Sequence, residues 1–221
     1  MKHKTRLGVL VSGSGTNLQS ILDACKTGKI DAEVVVVISN KSGAYALKRA
    51  ENAGVETVVL EPKGFATRED YDKELVKILK KRNIELVILA GFMRIVTPVL
   101  IKEFPMRIMN IHPALLPAFP GLHVQKRAIE YGAKFSGCTV HFVTEEVDAG
   151  PIIIQAVVPV YENDTEDTLR DRILIEEHRI YPQAIQLFSE GKLKVEGRRV
   201  RISGCKEPEN FRLENPVVEV L

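Results

Sequence analysis

What most constrains this chain is the way short, wholly apolar runs alternate with stretches of helical period. Residues 7–11 (LGVLV), 33–39 (EVVVVIS), 56–60 (ETVVL) and 84–90 (IELVILA) read as four strands. The runs are apolar nearly throughout instead of alternating with polar residues, the pattern of a strand buried on both faces of a parallel sheet. A helix starts at about Thr16, where Leu18, Ile21, Leu22 and Cys25 recur at helical spacing on one face, and Gly28 suits its C-terminal cap. Residues 44–53 form a second helix, closed by Gly54. Thr67 followed by Asp70 resembles a capping box with Asp in place of Glu; the helix behind it turns Tyr71, Leu75, Ile78 and Leu79 inward. Pro98 suits the first turn of a short helix ending near Phe104, and residues 124–131 make another, closed by Gly132.

Residues 137–143 and 151–160 read as strands joined by too short a loop for a crossover helix, so they pair antiparallel or lie apart. A long helix spans 165–188, and Pro182 is expected to kink or interrupt it. The basic KLKVEGRRVRI segment after it reads as the solvated face of a terminal hairpin. The order of elements implies an α/β fold: a mostly parallel twisted sheet with helices on both faces and a Rossmann-like first half. We read residues 1–221 as one domain, with a phosphate-binding half to about residue 105 and a catalytic half from about 106.

A net charge of +2 gives no argument for nucleic acid or a membrane surface as partner. Cys25, Cys138 and Cys205 are odd in number and widely spaced, with no CxxC, which fits a reducing cytoplasm better than a disulfide framework. The apolar run near the N-terminus is too short for a signal peptide and is cut by Gly13, and no run approaches transmembrane length. No His or Cys spacing suggests zinc, so no metal is expected.

Two stretches invite chemistry. The loop Ser12-Gly13-Ser14-Gly15-Thr16-Asn17 lies between an apolar strand and a helix. Glycines let backbone N–H groups approach a ligand, the helix N-terminus favours an anion, and the hydroxyls of Ser12, Ser14 and Thr16 add donors. It lacks the Gly-Lys-Ser/Thr of a P-loop, and Leu18 stands at the third-glycine position of the dinucleotide fingerprint. A phosphate monoester fits better, although an ordinary tight turn before a helix has the same composition. The second stretch is RIMNIHPALLPAFPG, residues 107–121. Asn110 and His112 lie two apart at a strand end, on one face, with Ile111 directed into the core. An amide and an imidazole there can both donate to a developing oxyanion, and can equally be a polar pair satisfied at a strand terminus. Asp148, in VTEEVDAGP, also follows an apolar strand. A carboxylate beside His112 favours the charged ring, and the same sequence also makes a plain turn.

NIHPALLPAFPG resembles the NIHPSLLP-type signature of the folate-dependent formyltransferases. SGSGTN, AGFMRI (residues 90–95) and HFVTEEVDAGPII (141–153) match the same family in the same order, and the similarity extends to about Gly191. Ala114 departs from the usual Ser, and Ala118 from an often polar position. The resemblance is strongest to the purine-pathway branch. It implies formyl transfer from 10-formyltetrahydrofolate, a cosubstrate consumed at each turnover, to the amine of glycinamide ribonucleotide. It implies Asn110, His112 and Asp148 as catalytic residues stabilising a tetrahedral intermediate. It places the substrate phosphate on Gly13, Ser14, Gly15, Thr16 and Asn17, with Glu177 contacting the glycinamide. It places the folate against Arg94 and its backbone, with Met93, Ile95 and Val96 as an apolar wall, Asn110 at its edge and Arg68 reaching its far end. His123 is read as starting a helix and His141 as a satisfied core residue. Branches acting on methionyl-tRNA or hydrolysing the formyl-folate would be expected to carry an additional domain. A nucleotide-binding regulatory module would keep the phosphate loop without Asn110, His112 and Asp148. Monomer and homodimer are both compatible with the sequence.

Overall fold

The computed structural model describes residues 3–204, 213 and 215. In chain order the elements are β1 (Thr5–Val11), α1 (Thr16–Lys26), β2 (Ala32–Ser39), α2 (Tyr45–Asn52), β3 (Glu56–Val59), α3 (Arg68–Lys81), β4 (Leu86–Leu89) and α4 (Pro98–Glu103). Then come β5 (Ile108–His112), α5 (Val124–Tyr131), β6 (Phe135–Phe142), β7 (Ile152–Pro159), α6 (Glu166–Ser189), β8 (Leu193–Glu196) and β9 (Arg199–Ile202). The strands form one sheet in the order β3-β2-β1-β4-β5-β6-β7-β9-β8. Pairing is parallel from β3 through β5, as the apolar runs require, and antiparallel from β5 to β6 and β6 to β7. The terminal hairpin of β8 and β9 extends the sheet through one parallel contact between β9 and β7.

Strand alternation divides the core in two. Leu7, Val9, Val11, Met109 and Ile111 face a layer built from Leu18 and Ile21 of α1 and Leu169, Ile173, Ile180 and Ile185 of α6. Leu10, Val36, Ile38, Val87, Leu89 and Ile108 face the opposite layer, where Tyr71, Leu75 and Leu79 of α3 meet Leu100 of α4. Each fully buried aliphatic side chain contributes about 1.5–3 kcal/mol, and both helix layers are held chiefly by this term.

Two local expectations change. Thr67 caps α3 by accepting from the Asp70 N–H, but the box is not reciprocal, because the Asp70 carboxylate takes the Thr67 hydroxyl proton at 2.8 Å. Asp is one methylene shorter than the Glu that normally reaches back to the cap N–H. Pro182 does not interrupt α6, which runs unbroken for 24 residues. Tyr181, Pro182, Ala184 and Ile185 are all buried, and that packing outweighs one missing backbone bond. Tyr71, Leu75 and Leu79 of α3 face inward as expected, with Ile78 half-buried against the same core and Val76 buried beside them.

In the run β3-β2-β1-β4-β5 the strand order reverses between β1 and β4. Ligands of doubly wound sheets bind in the crevice outside the carboxyl ends at such a point. The SGSGTN loop leaves β1 there and AGFMRI leaves β4 there. The Met93 N–H donates to the Ser12 hydroxyl at 2.8 Å, joining the two loops across the crevice.

Candidate active site

Asn110 and His112 end β5, with Ile111 between them 7 % exposed in the core. Antiparallel register sets His141 directly opposite Asn110 and Thr139 opposite His112. His141 Nδ1 lies 2.9 Å from the Phe142 carbonyl, and its Nε2 lies 3.2 Å from Asn110 Nδ2. Burial holds the His141 pKa below its ordinary value, so the ring is neutral, with its proton on Nδ1 and a lone pair on Nε2. Only the nitrogen end of an amide can meet that lone pair. His141 thereby fixes which way the Asn110 amide faces and leaves its second N–H free to donate. His141 is thus the satisfied core residue that the sequence suggests, and its contact with Asn110 is what the sequence does not show. The signal that could have found this contact is the polar pair Thr139 and His141, two apart in the strand and mirroring Asn110 and His112.

Asp148 comes within reach of both histidines. Its Oδ2 lies 3.4 Å from His112 Nδ1, an ion-pair distance, and its Oδ1 lies 3.8 Å from His141 Nε2. The expected proximity of His112 and Asp148 is present, but the expected reason for it is not. β6 runs antiparallel to β5, so its carboxyl end lies opposite Met109 and not beside His112. The 143–150 segment must double back to bring Asp148 up. A Cβ on Gly150 would stand 1.7 Å from the Phe142 carbonyl oxygen, so only glycine allows that return. Asp148 itself has φ 52° and accepts the Gly121 N–H at 2.9 Å.

The other nitrogen of His112, Nε2, lies 2.9 Å from the Phe119 carbonyl. Each ring nitrogen therefore has an oxygen near it, the Phe119 carbonyl at hydrogen-bond distance and the Asp148 carboxylate at ion-pair distance. The loop that supplies Phe119 is held by side chains from β6 and β7. Thr139 Oγ1 donates to the Ala114 carbonyl at 2.7 Å and accepts the Leu116 N–H at 3.1 Å. Gln155 Nε2 donates to the Leu116 carbonyl at 2.9 Å and to Thr139 Oγ1 at 3.0 Å.

In the SGSGTN loop, Gly15 is the N-cap of α1 with φ 72°, and it carries no side chain to satisfy the first helical N–H groups. A Cβ at Gly15 would stand 2.6 Å from the Ala46 Cβ, so the second glycine also lets α2 approach. Gly13 and Ser14 are exposed and border a cavity of about 560 Å³ that Lys41, Lys63 and Glu61 also line. Ser12 is not a free donor. It is buried, gives its proton to Asn40 Oδ1 at 2.6 Å and accepts from Met93. Asn17 Nδ2 donates to Glu177 Oε2 at 2.7 Å, so the loop and α6 meet although 160 positions separate the two residues. Burial pushes the Glu177 carboxyl above its usual range, opposed in part by the Asn17 bond.

The residues expected at the folate divide. Met93 and Ile95 are 65 % and 54 % exposed, large apolar side chains left in solvent beside the crevice. Val96 instead packs into the core around Tyr71 and Leu100, so its side chain is not part of an open wall. Arg94 stacks its guanidinium 4.1 Å from the centre of the Tyr71 ring, and Arg68 stands exposed at the first turn of α3. Cys25 and Cys138 are free thiols, and Cys205 lies outside the described residues. Among the described residues no helix is long and apolar enough to cross a membrane.

The sequence pattern that defines the formyl transferase family matches residues 5–185. The chain is 46% identical over 200 residues to phosphoribosylglycinamide formyltransferase of Escherichia coli K12, covering 90% of this chain and 94% of that protein. It is 41% identical over 206 residues to the human trifunctional purine biosynthetic protein adenosine-3, covering 93% of this chain and 20% of that longer protein. Among solved structures, glycinamide ribonucleotide transformylase 1 from Symbiobacterium toebii superposes with a TM-score of 0.90 at 56% identity, covering 91% of this chain and 95% of that one. The pattern, the identities and the shared fold agree: this chain belongs to the formyl transferase family.

Proposed function

We propose that this chain transfers the formyl group of 10-formyltetrahydrofolate to the amine of glycinamide ribonucleotide in purine synthesis, with Asn110, His112 and Asp148 as the catalytic groups. The single observation that carries the assignment of roles is the convergence of Asn110, His112, His141 and Asp148 at the carboxyl end of β5. The substrate amine attacks the formyl carbon, and the formyl oxygen becomes an oxyanion. The free N–H of Asn110 donates to it. The Phe119 carbonyl, 2.9 Å from His112 Nε2, marks where a second oxygen acceptor sits against the imidazolium. Asp148 holds the positive charge on His112 and, through water, takes the proton that the attacking amine loses. As the tetrahedral intermediate collapses, the bond from the formyl carbon to the folate nitrogen breaks, and that nitrogen receives, through water, the proton that Asp148 took from the amine.

The open amides of the α1 N-terminus hold the substrate phosphate, supported by the cavity beside Gly13 and Ser14 and its two lysines. Glu177, on α6 and bound to Asn17, faces that loop, where it can accept from the glycinamide amine. The exposed side chains of Met93 and Ile95 and the backbone around Arg94 suit a flat, apolar ring with polar edges. The two halves work as one domain, since one sheet runs through both. Mixing the protein with 10-formyltetrahydrofolate and glycinamide ribonucleotide and following folate absorbance tests the reaction. No absorbance change with either substrate withheld, and a change with both present, is the expected result. Turnover of the folate without the ribonucleotide would instead assign a hydrolase.

A further inference from the structure

A buried polar side chain near the site that the reaction does not use is Tyr181, on the face of α6 that lies against the sheet. It is fully buried, and its hydroxyl lies 3.0 Å from the Leu89 carbonyl and 2.9 Å from the Met109 carbonyl. A phenol has one proton to donate, so the two carbonyls share it. Burial raises the Tyr181 pKa well above its ordinary value, and the group stays protonated.

The two carbonyls belong to different strands at a particular place. Leu89 ends β4, and its partner in register is Asn110, the residue after Met109. Beyond this last paired rung the chains part: β4 opens into residues 90–97, and β5 continues to His112 and the proline loop. The Tyr181 hydroxyl therefore sits in the fork. It bridges the peptide that leads into AGFMRI and the peptide that carries the Asn110 nitrogen. One helical turn before it, Glu177 holds Asn17 of the phosphate loop. One face of α6 thus touches all three branches of the crevice.

We propose that Tyr181 is a positioning residue that sets the distance between Asn110 and the folate-side loop by tying the ends of β4 and β5 together. This rests on the formyl-transfer reading above. The hydroxyl touches neither substrate, so its role is to keep the reacting carbon within reach of both the amide donor and the attacking amine. Small displacements matter at such a place, since misplacement by about 1 Å can cost on the order of a hundredfold in rate.

The test is Tyr181→Phe in the full chain, with three readouts: melting temperature, affinity for glycinamide ribonucleotide and single-turnover formyl transfer. The expected result is a loss of about tenfold to a hundredfold in the single-turnover rate per folded molecule, with ribonucleotide affinity changed less than about threefold. Ile185→Val, one turn further along α6 and also fully buried, is the control. It lowers stability and leaves the rate per folded molecule unchanged. 4-Aminophenylalanine at position 181, which keeps a donor at the same place, restores the rate. A rate for Tyr181→Phe within about threefold of wild type overturns the proposal. If Tyr181→Phe does not fold, 4-fluorophenylalanine at 181 fills the hydroxyl's volume without donating. Failure of that chain to fold also overturns the proposal, because the hydroxyl would then hold the fold and not the site. Inactivity of the wild-type chain would reject the formyl-transfer reading itself.

Discussion

Asp148→Asn separates charge from shape at the centre of the site. Asp148 has φ 52°, a conformation that Asn tolerates as well as Asp, and the introduced amide oxygen can still accept the Gly121 N–H. The fold is therefore expected to keep its stability to within about 0.5 kcal/mol. What disappears is a negative charge 3.4 Å from His112 Nδ1. With an effective dielectric constant of about 20, the gross attraction to a protonated ring at that distance is about 5 kcal/mol. The dipole of the new amide recovers part of this. The amide oxygen that keeps the Gly121 bond is the atom that faces His112 Nδ1, so the ring keeps a neutral acceptor there and loses the full charge. A net loss of about 3 kcal/mol at the transition state corresponds to about a hundredfold in rate. The assay is single-turnover formyl transfer at saturating substrates, beside a thermal melt. A variant with the wild-type melting temperature and a rate within about threefold of wild type would refute the argument that Asp148 acts through its charge.

Asn110→Ala removes the amide that His141 orients. The chemical step is expected to fall about a hundredfold to a thousandfold with substrate affinities little changed, whereas a destabilised variant with a near-normal rate per folded molecule would make Asn110 structural. Glu177→Gln addresses the pH dependence of stability. Because burial raises the Glu177 pKa above its usual 4.5, the folded state holds a proton that the unfolded chain gives up; that contribution is complete below about pH 4.5 and is lost as pH rises through the folded value. Thermal melts from pH 5 to 8 should show the variant gaining on wild type as pH rises, and a constant difference would contradict the assignment. Asp164→Ala, by contrast, is a purely structural prediction. Its nearly buried carboxylate accepts from Arg172 at 2.7 and 2.8 Å and from the Tyr161 N–H at 2.7 Å, and these bonds hold its pKa far below the usual range. Urea denaturation should show a loss of about 2–4 kcal/mol with unchanged turnover per folded molecule, and a loss under about 0.5 kcal/mol would mean the cluster contributes little.

The parallel half of the sheet was legible because it is written locally. Runs such as LVIL in β4 and VVVVI in β2 are apolar on both faces, and each helix between them carries its own period and its own cap or closing glycine. The site was legible only where strand periodicity reached it, as at Asn110 and His112. Three parts depend on contacts made far along the chain. Ser12 looks like a free donor until Asn40 and Met93 close on it. Val96 looks like a binding-wall residue until the α3–α4 layer covers it. Glu177 looks like one of two solvated acids on a helix until α6 turns it inward against Asn17. In each case the residue type fits either environment, and tertiary packing decides between them.

His141 shows why the change from parallel to antiparallel at β5 matters to the chemistry. In the parallel half, each strand offers the crevice only the loop at its carboxyl end, and loops place polar groups less rigidly than strands do. β6 runs the other way, so two of its own strand residues, Thr139 and His141, lie opposite His112 and Asn110. A strand fixes side-chain spacing and facing more tightly, so the group that orients Asn110 is part of the ladder itself. The cost is that the carboxyl end of β6 points away from the site, and Asp148 can return to it only over Gly150. Both requirements meet in the twelve positions from Thr139 to Gly150. Gly150→Ala should therefore displace the Asp148 turn and slow transfer, while the Asn110–His141 pair, fixed by strand register, keeps its geometry. Retention of the wild-type rate in a folded Gly150→Ala chain would show that the 148–150 turn can relax without moving Asp148, and that this glycine is not what brings the carboxylate to the histidines.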